Sequence, residues 1–137
     1  LNALIAIQDS IQIPFFALEV WQENVKNPYI EAINIINQGT YDPQEIAKQV
    51  WYYSILGLPS DCNLYGCTTL LREHNNNQVI AVDGAWWKEN ETMTSRDQLS
   101  LPFVLWRSGY KIGVIQYSYW RSLVHLHNHL VSSNVQN

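Results

Sequence analysis

The sequence predicts an α/β domain in which helices pack on a small mixed sheet. Three observations carry that prediction. Two short apolar runs rich in β-forming residues, 64–72 and 111–117, are separated by stretches of helical periodicity. Helix start and stop signals recur along the chain, with Asp or Asn before Pro at the starts and Gly at the ends. The 137 residues show no internal repeat, low-complexity tract or linker, so they read as one domain with enough chain for a real core.

Residues 1–20 alternate poorly between apolar and polar and contain Pro14, so they are compatible with a strand or with a helix cut from a larger unit. Asn27-Pro28 reads as an N-cap followed by Pro at the first helical position. Ile30 and Ile33 follow at helical spacing, and Gly39 stops the helix. Asp42-Pro43-Gln44-Glu45 is a second start, with Glu at the third position. Ile46, Val50 and Tyr53 then share a face; Gly57 closes the helix and Pro59 prevents its restart. The run 64–72 reads as a buried strand ending in Arg72-Glu73-His74 and three asparagines, a turn or cap. A helix over about 79–91 presents Trp86 and Trp87 despite Gly84.

The stretch 86–109 concentrates the polar chemistry. Ser95 is placed as N-cap and Gln98 where a capping box wants Glu or Gln. Arg96 and Asp97 fall in the first turn. Leu99, Leu101, Phe103, Val104, Leu105 and Trp106 make the helix apolar nearly all round, hence buried. Pro102 removes one N–H within it and should bend it, and Gly109 ends it. A strand over 111–117 follows, then a tail whose last residues, 131–137, read as disordered.

Composition excludes several functions. Charged residues make up 15%, the net charge is −4, and no basic run exists to track a nucleic-acid backbone. No apolar run approaches the roughly 20 residues of a membrane span. Six tryptophans and eight tyrosines point to a large aromatic core, a partner surface or a site for an uncharged, ring-shaped ligand. Cys62 and Cys67 stand alone at C-x4-C spacing, without a second pair for zinc, and are expected as free thiols rather than a disulfide. The nucleophile-elbow, P-loop and dinucleotide fingerprints are all absent. The chain starts with Leu rather than Met, which suggests that sequence upstream is missing.

Among the polar residues, Asp97 is the sharpest candidate. A carboxylate at a helix N-terminus stays ionised and can accept from a sugar hydroxyl or take its proton; it can equally be a first-turn acid that only steadies the helix. Arg96 beside it could grip a phosphate or carboxylate, or be a surface ion-pair partner. Of Trp86 and Trp87, one should face the core and the other outward as a stacking platform. His125, His127 and His129 could hold a divalent metal with a carboxylate from elsewhere, although solvent-exposed histidines give the same pattern. Arg72, His74, Asp97 and one tryptophan are expected around one cleft, because the charged residues gather at element ends.

Taken together, Gly57-Leu58-Pro59, Leu64-Tyr65-Gly66, Leu70-Leu71-Arg72-Glu73-His74-Asn75, Trp86-Trp87, Ser95-Arg96-Asp97-Gln98-Leu99-Ser100 and Phe103-Val104-Leu105-Trp106 resemble a known group. These are the glycosyltransferase-like domains of bacterial surface-polysaccharide clusters and of plant hexosyltransferase-like proteins of pectin and mucilage synthesis. The resemblance spans about Tyr29 to Ile115, and its most specific element is S-R-D-Q-L-S. It implies the C-terminal portion of a Rossmann-like, nucleotide-sugar-dependent hexosyltransferase using Mn or Mg, cytoplasmic if bacterial. In that frame Asp97 is the base or acceptor clamp, Gln98 lies on the acceptor side, and Arg72 and His74 line the cleft. One of His125, His127 and His129 would complete the metal site. The nucleotide-binding half and any D-x-D are not in this chain. A non-catalytic carbohydrate-binding or assembly module, or a metal-binding regulatory domain, are the rival readings.

Overall fold

A computed structural model describes residues 12–20 and 24–123. His125, His127, His129 and the tail 131–137 lie outside them.

The α/β architecture is as expected, and its centre is a segment whose state the sequence left open. Strand β1 (Phe15–Glu19) is flanked by β2 (Tyr65–Arg72) and β3 (Gly113–Ile115) in the order β2-β1-β3. β1 runs antiparallel to β2 and parallel to β3, so the sheet is mixed. Its register on β2 shifts between Ala17 and Leu18, a bulge-type irregularity. Phe15, Phe16, Ala17 and Leu18 are all buried. Alternation along a strand sends Phe15 to one face and Phe16 and Leu18 to the other, and each face carries its own core. On the first face lie helices α1 (Pro28–Gln38), α2 (Pro43–Ile55), α3 (Asn77–Thr92) and α4 (Asp97–Ser108). On the second, α5 (Tyr117–Leu123) brings Trp120 onto Phe16, Leu18 and Ile115.

The helix signals are obeyed where a side chain can cap. Asn27 Oδ1 accepts from the backbone N–H of Tyr29 and Ile30, Asp42 Oδ1 from Gln44 and Glu45, and Asn76 Oδ1 from Gln78 and Val79. Gly39 and Gly109 end α1 and α4 with φ of 69° and 67°, the left-handed conformation that glycine adopts without a Cβ penalty. Helix α2 buries Ile46, Gln49 and Tyr53, with Val50 beside them, as its periodicity predicts.

Four details differ from the sequence reading. Ser95 is not the N-cap of α4: Arg96 is, with no side-chain cap, because a guanidinium carries donors only and cannot accept from the first N–H groups. In α1 the buried face is Pro28, Glu31, Ala32 and Ile35, while Ile30 and Ile33 face solvent. The strand expected over 111–117 shortens to three residues and gives way to α5. The strand expected as buried, β2, is an edge whose residues, Gly66 apart, are partly or fully exposed. Pro102 is accommodated inside an unbroken α4, fully buried. Cys62 and Cys67 are free and half-buried.

Candidate functional site

The N-terminal tip of α4 rests on a buried ion pair that sequence reasoning missed. Glu31, 5% exposed, sits on the inner face of α1. It accepts from Nε and Nη2 of Arg96, and Nη2 also donates to Gln98 Oε1. Burial works against the Arg96 charge, but the hydrogen bond and charge of Glu31, with the charge of Asp97, override it and raise the guanidinium pKa further. The other end of the Gln98 amide donates to the carbonyl of Tyr65 at 3.4 Å, which ties the helix tip to the start of β2. A signal for Glu31 was present in the sequence: it is three residues after Pro28 and four before Ile35, on one helical stripe.

A second strut lies beneath the first. Gln49 is fully buried in α2, where its Nε2 donates to Tyr53 Oη at 2.7 Å and its Oε1 accepts from the Thr94 backbone N–H and hydroxyl. Thr94 Oγ1 in turn accepts from the Arg96 N–H at 3.4 Å. Ser100, fully buried one turn into α4, accepts from Trp86 Nε1 at 2.9 Å and donates to Asn90 Oδ1. The segment between α3 and α4 is therefore held from both sides.

Within this frame Asp97 stays half-exposed. Its Oδ1 accepts from the Gln98 N–H at 2.8 Å, and its Oδ2 makes no hydrogen bond among the described residues. The same carboxylate faces Cys67: burial pushes that thiol up, the Asp97 charge adds to the rise, and Arg96 opposes it.

The other predicted site residues fall into separate places. Trp86 is half-buried on the core through Ser100, whereas Trp87 is 67% exposed on α3, so the pair divides as expected. The Arg96 guanidinium, read as a grip for a phosphate or carboxylate or as an ion-pair partner, is an ion-pair partner: Glu31 and Gln98 engage it. Arg72 forms an ion pair with Asp83 of α3 at 2.8 Å. It ends β2, while Gln98 binds the carbonyl that begins β2, and seven residues of strand separate those points by roughly 20 Å. His74 lies beyond Arg72, exposed, in a shallow depression with Glu73, Asn75 and Asn76 that does not include Asp97. The expected single cleft is thus two places: Arg96, Asp97 and Gln98 at one end of β2, Arg72 and His74 at the other.

Among the described residues, no three His, Cys, Asp or Glu side chains are grouped to hold a metal ion. No described helix is long and apolar enough to cross a membrane. The chain matches no family model, no curated protein and no solved structure.

Proposed function

We propose that this chain is the acceptor-side portion of a Rossmann-like, nucleotide-sugar-dependent hexosyltransferase acting on a polysaccharide or glycan, as its motifs resemble. The observation that carries the reading is the presentation of Asp97. Its neighbours on both sides are locked inward, Arg96 by Glu31 and Gln98 by the Tyr65 carbonyl, while its own Oδ2 makes no hydrogen bond among the described residues. A carboxylate held this way suits accepting a proton from an acceptor hydroxyl as that oxygen attacks the anomeric carbon and the nucleoside diphosphate departs.

Arg96 acts here by positioning. Its guanidinium braces the helix tip against α1 and keeps a positive charge beside Asp97. Trp87 offers a flat face to a glycan, and Arg72 and His74 would meet a more distant part of an extended acceptor. A divalent ion, which the resemblance implies, would draw on the C-terminal histidines; among the described residues Glu31 is engaged by Arg96 and Asp83 by Arg72, and no step above runs through the ion.

The test is steady-state kinetics of wild type and Asp97→Asn with a nucleotide-sugar donor and a glycan acceptor. The expected result is a kcat about a hundredfold lower or less still, with the fold retained, since general-base assistance contributes roughly 10²–10⁴-fold. A raised KM with unchanged kcat would make Asp97 a clamp. Unchanged kinetics with a small loss of stability would remove it from the site.

The exposed Trp87 also suits a second reading, a carbohydrate-binding module without chemistry. Affinity for sugars without affinity for nucleotide sugars would select it.

A further inference from the structure

A cleft of about 520 Å³ opens between the C-terminal half of α4 and the segment leading into β2. Its volume lies in the range of small-molecule sites. Three aromatic side chains line it, Tyr65, Trp106 and Tyr110, together with Asp61, Asn63 and Lys111.

The walls are braced in the absence of any ligand. Cys62 Sγ lies 3.9 Å from the Pro102 carbonyl, joining the segment to α4. The Leu64 N–H donates to the Lys26 carbonyl at 3.0 Å, and the Tyr110 N–H to the Leu105 carbonyl at 3.1 Å. Trp106 packs at a tilt on Phe103, ring centres 6.0 Å apart, which fixes its plane. The Tyr110 hydroxyl is buried and has no hydrogen-bond partner among the described residues.

The electrostatics select among ligands. Asp61 and Lys111 offset each other, so the cleft carries no net charge. It is built on the last turns of α4, the end at which the helix dipole is negative. Phosphates favour the opposite end of a helix, where backbone N–H groups point outward, or a cluster of arginines. A carboxylate, an amide, an ammonium and a phenol instead offer both donors and acceptors at modest charge, and the rings supply flat apolar faces.

We propose that this cleft is a binding site for a neutral saccharide, whose ring lies against Trp106 and whose hydroxyls meet Asp61, Asn63 and Lys111. The site is separate from Asp97 and does not depend on transfer chemistry: it would bind a sugar equally in a transferase or in a module without activity.

The experiment is a two-dimensional NMR titration of the ¹⁵N-labelled chain with methyl β-glucoside, methyl β-galactoside and methyl β-xyloside, and separately with UDP. At least one glycoside is expected to shift the Asn63, Tyr65 and Lys111 amides and the Trp106 indole N–H. Asn63→Ala and Lys111→Ala alter exposed side chains and should leave distant resonances in place while weakening that binding about tenfold, the loss of one hydrogen bond to a ligand. Trp106→Phe keeps an aromatic ring and should weaken it less than Trp106→Leu. The proposal is overturned if no glycoside moves these resonances, if UDP moves them more strongly than any glycoside, or if the substitutions leave the affinity unchanged. Binding is read at equilibrium without a nucleotide sugar, so the result stands apart from the kinetics of Asp97→Asn.

Discussion

At the residue scale, Glu31 shows how a carboxylate on an apolar helix stripe becomes an anchor. Its side chain is 6% exposed and that of Arg96 29%, so water reaches the arginine but hardly the acid. Removing one charge of a fully buried pair costs about 3–5 kcal/mol, and partial solvation of Arg96 should lower that to about 2–3 kcal/mol for Glu31→Gln. In a chain of this size the melting temperature should fall by roughly 6–12 °C, which calorimetry can read directly. A fall of only a degree would mean that the pair contributes little to stability. Asp97 illustrates what residue patterns do and do not disclose. Its place in the first turn of a buried helix was legible, because the capping signals and the apolar run bracket it. The locking of its neighbours was not, since Glu31 and Tyr65 are distant in sequence and no spacing rule links them to Arg96 and Gln98.

At the scale of the element, local chemistry predicted boundaries well wherever a side chain supplied the missing hydrogen bond. Asn27, Asp42, Gly39 and Gly109 ended up where their physics places them. Ser95 failed as a cap because Gln49 of α2 holds Thr94, which in turn accepts from the Arg96 N–H, and these contacts outweigh a cap of about 1 kcal/mol. Strand β1 was illegible for a related reason. It is buried on both faces, so it lacks the alternation that marks a half-exposed strand. Two substitutions test this scale. Asn76→Ala should destabilise the protein by about 1 kcal/mol, since two backbone N–H groups lose the Oδ1 that accepts from both, measurable by denaturant titration. Gly113→Ala should do far more harm, because an added Cβ would lie 2.2 Å from the Phe16 ring and that ring is held in the core. Wild-type stability in Gly113→Ala would show that β3 does not sit so tightly on β1.

At the scale of the whole molecule, the fold distributes its phenols and thiols so that alkali is a revealing perturbation. Burial raises the pKa of Tyr29, Tyr53, Tyr65, Tyr110, Cys62 and Cys67 alike. Each is neutral when protonated and is raised above its unfolded value. Its contribution is therefore fully present below the unfolded pKa, about 8.5 for a thiol and about 10 for a phenol, and is lost as pH rises toward the folded value. The unfolded chain then binds fewer protons than the native one, and stability should fall steadily above about pH 9. Melting curves between neutral and strongly alkaline pH should show this decline, and Cys62→Ser should delay its onset. A flat profile would mean that these groups are as solvated in the native state as in the unfolded chain.

The position of β1 in the middle of the sheet also sets an order of events in time. Its antiparallel partner lies more than forty residues further on, and the contact that fastens its far end, Glu19 to the Tyr117 N–H, spans 98 residues. The helices are local and can form in isolation quickly, but none of them can complete the sheet. Closing loops this long raises the entropic barrier ahead of any reward, so assembly should be slow for a protein with so much helix. During synthesis the strand Phe15–Glu19 emerges well before β3 and waits for it until nearly all of the described chain has left the ribosome. For that interval two phenylalanines and a leucine destined for the interior are open to anything that recognises bare apolar chain, which makes the nascent protein a natural client for a chaperone.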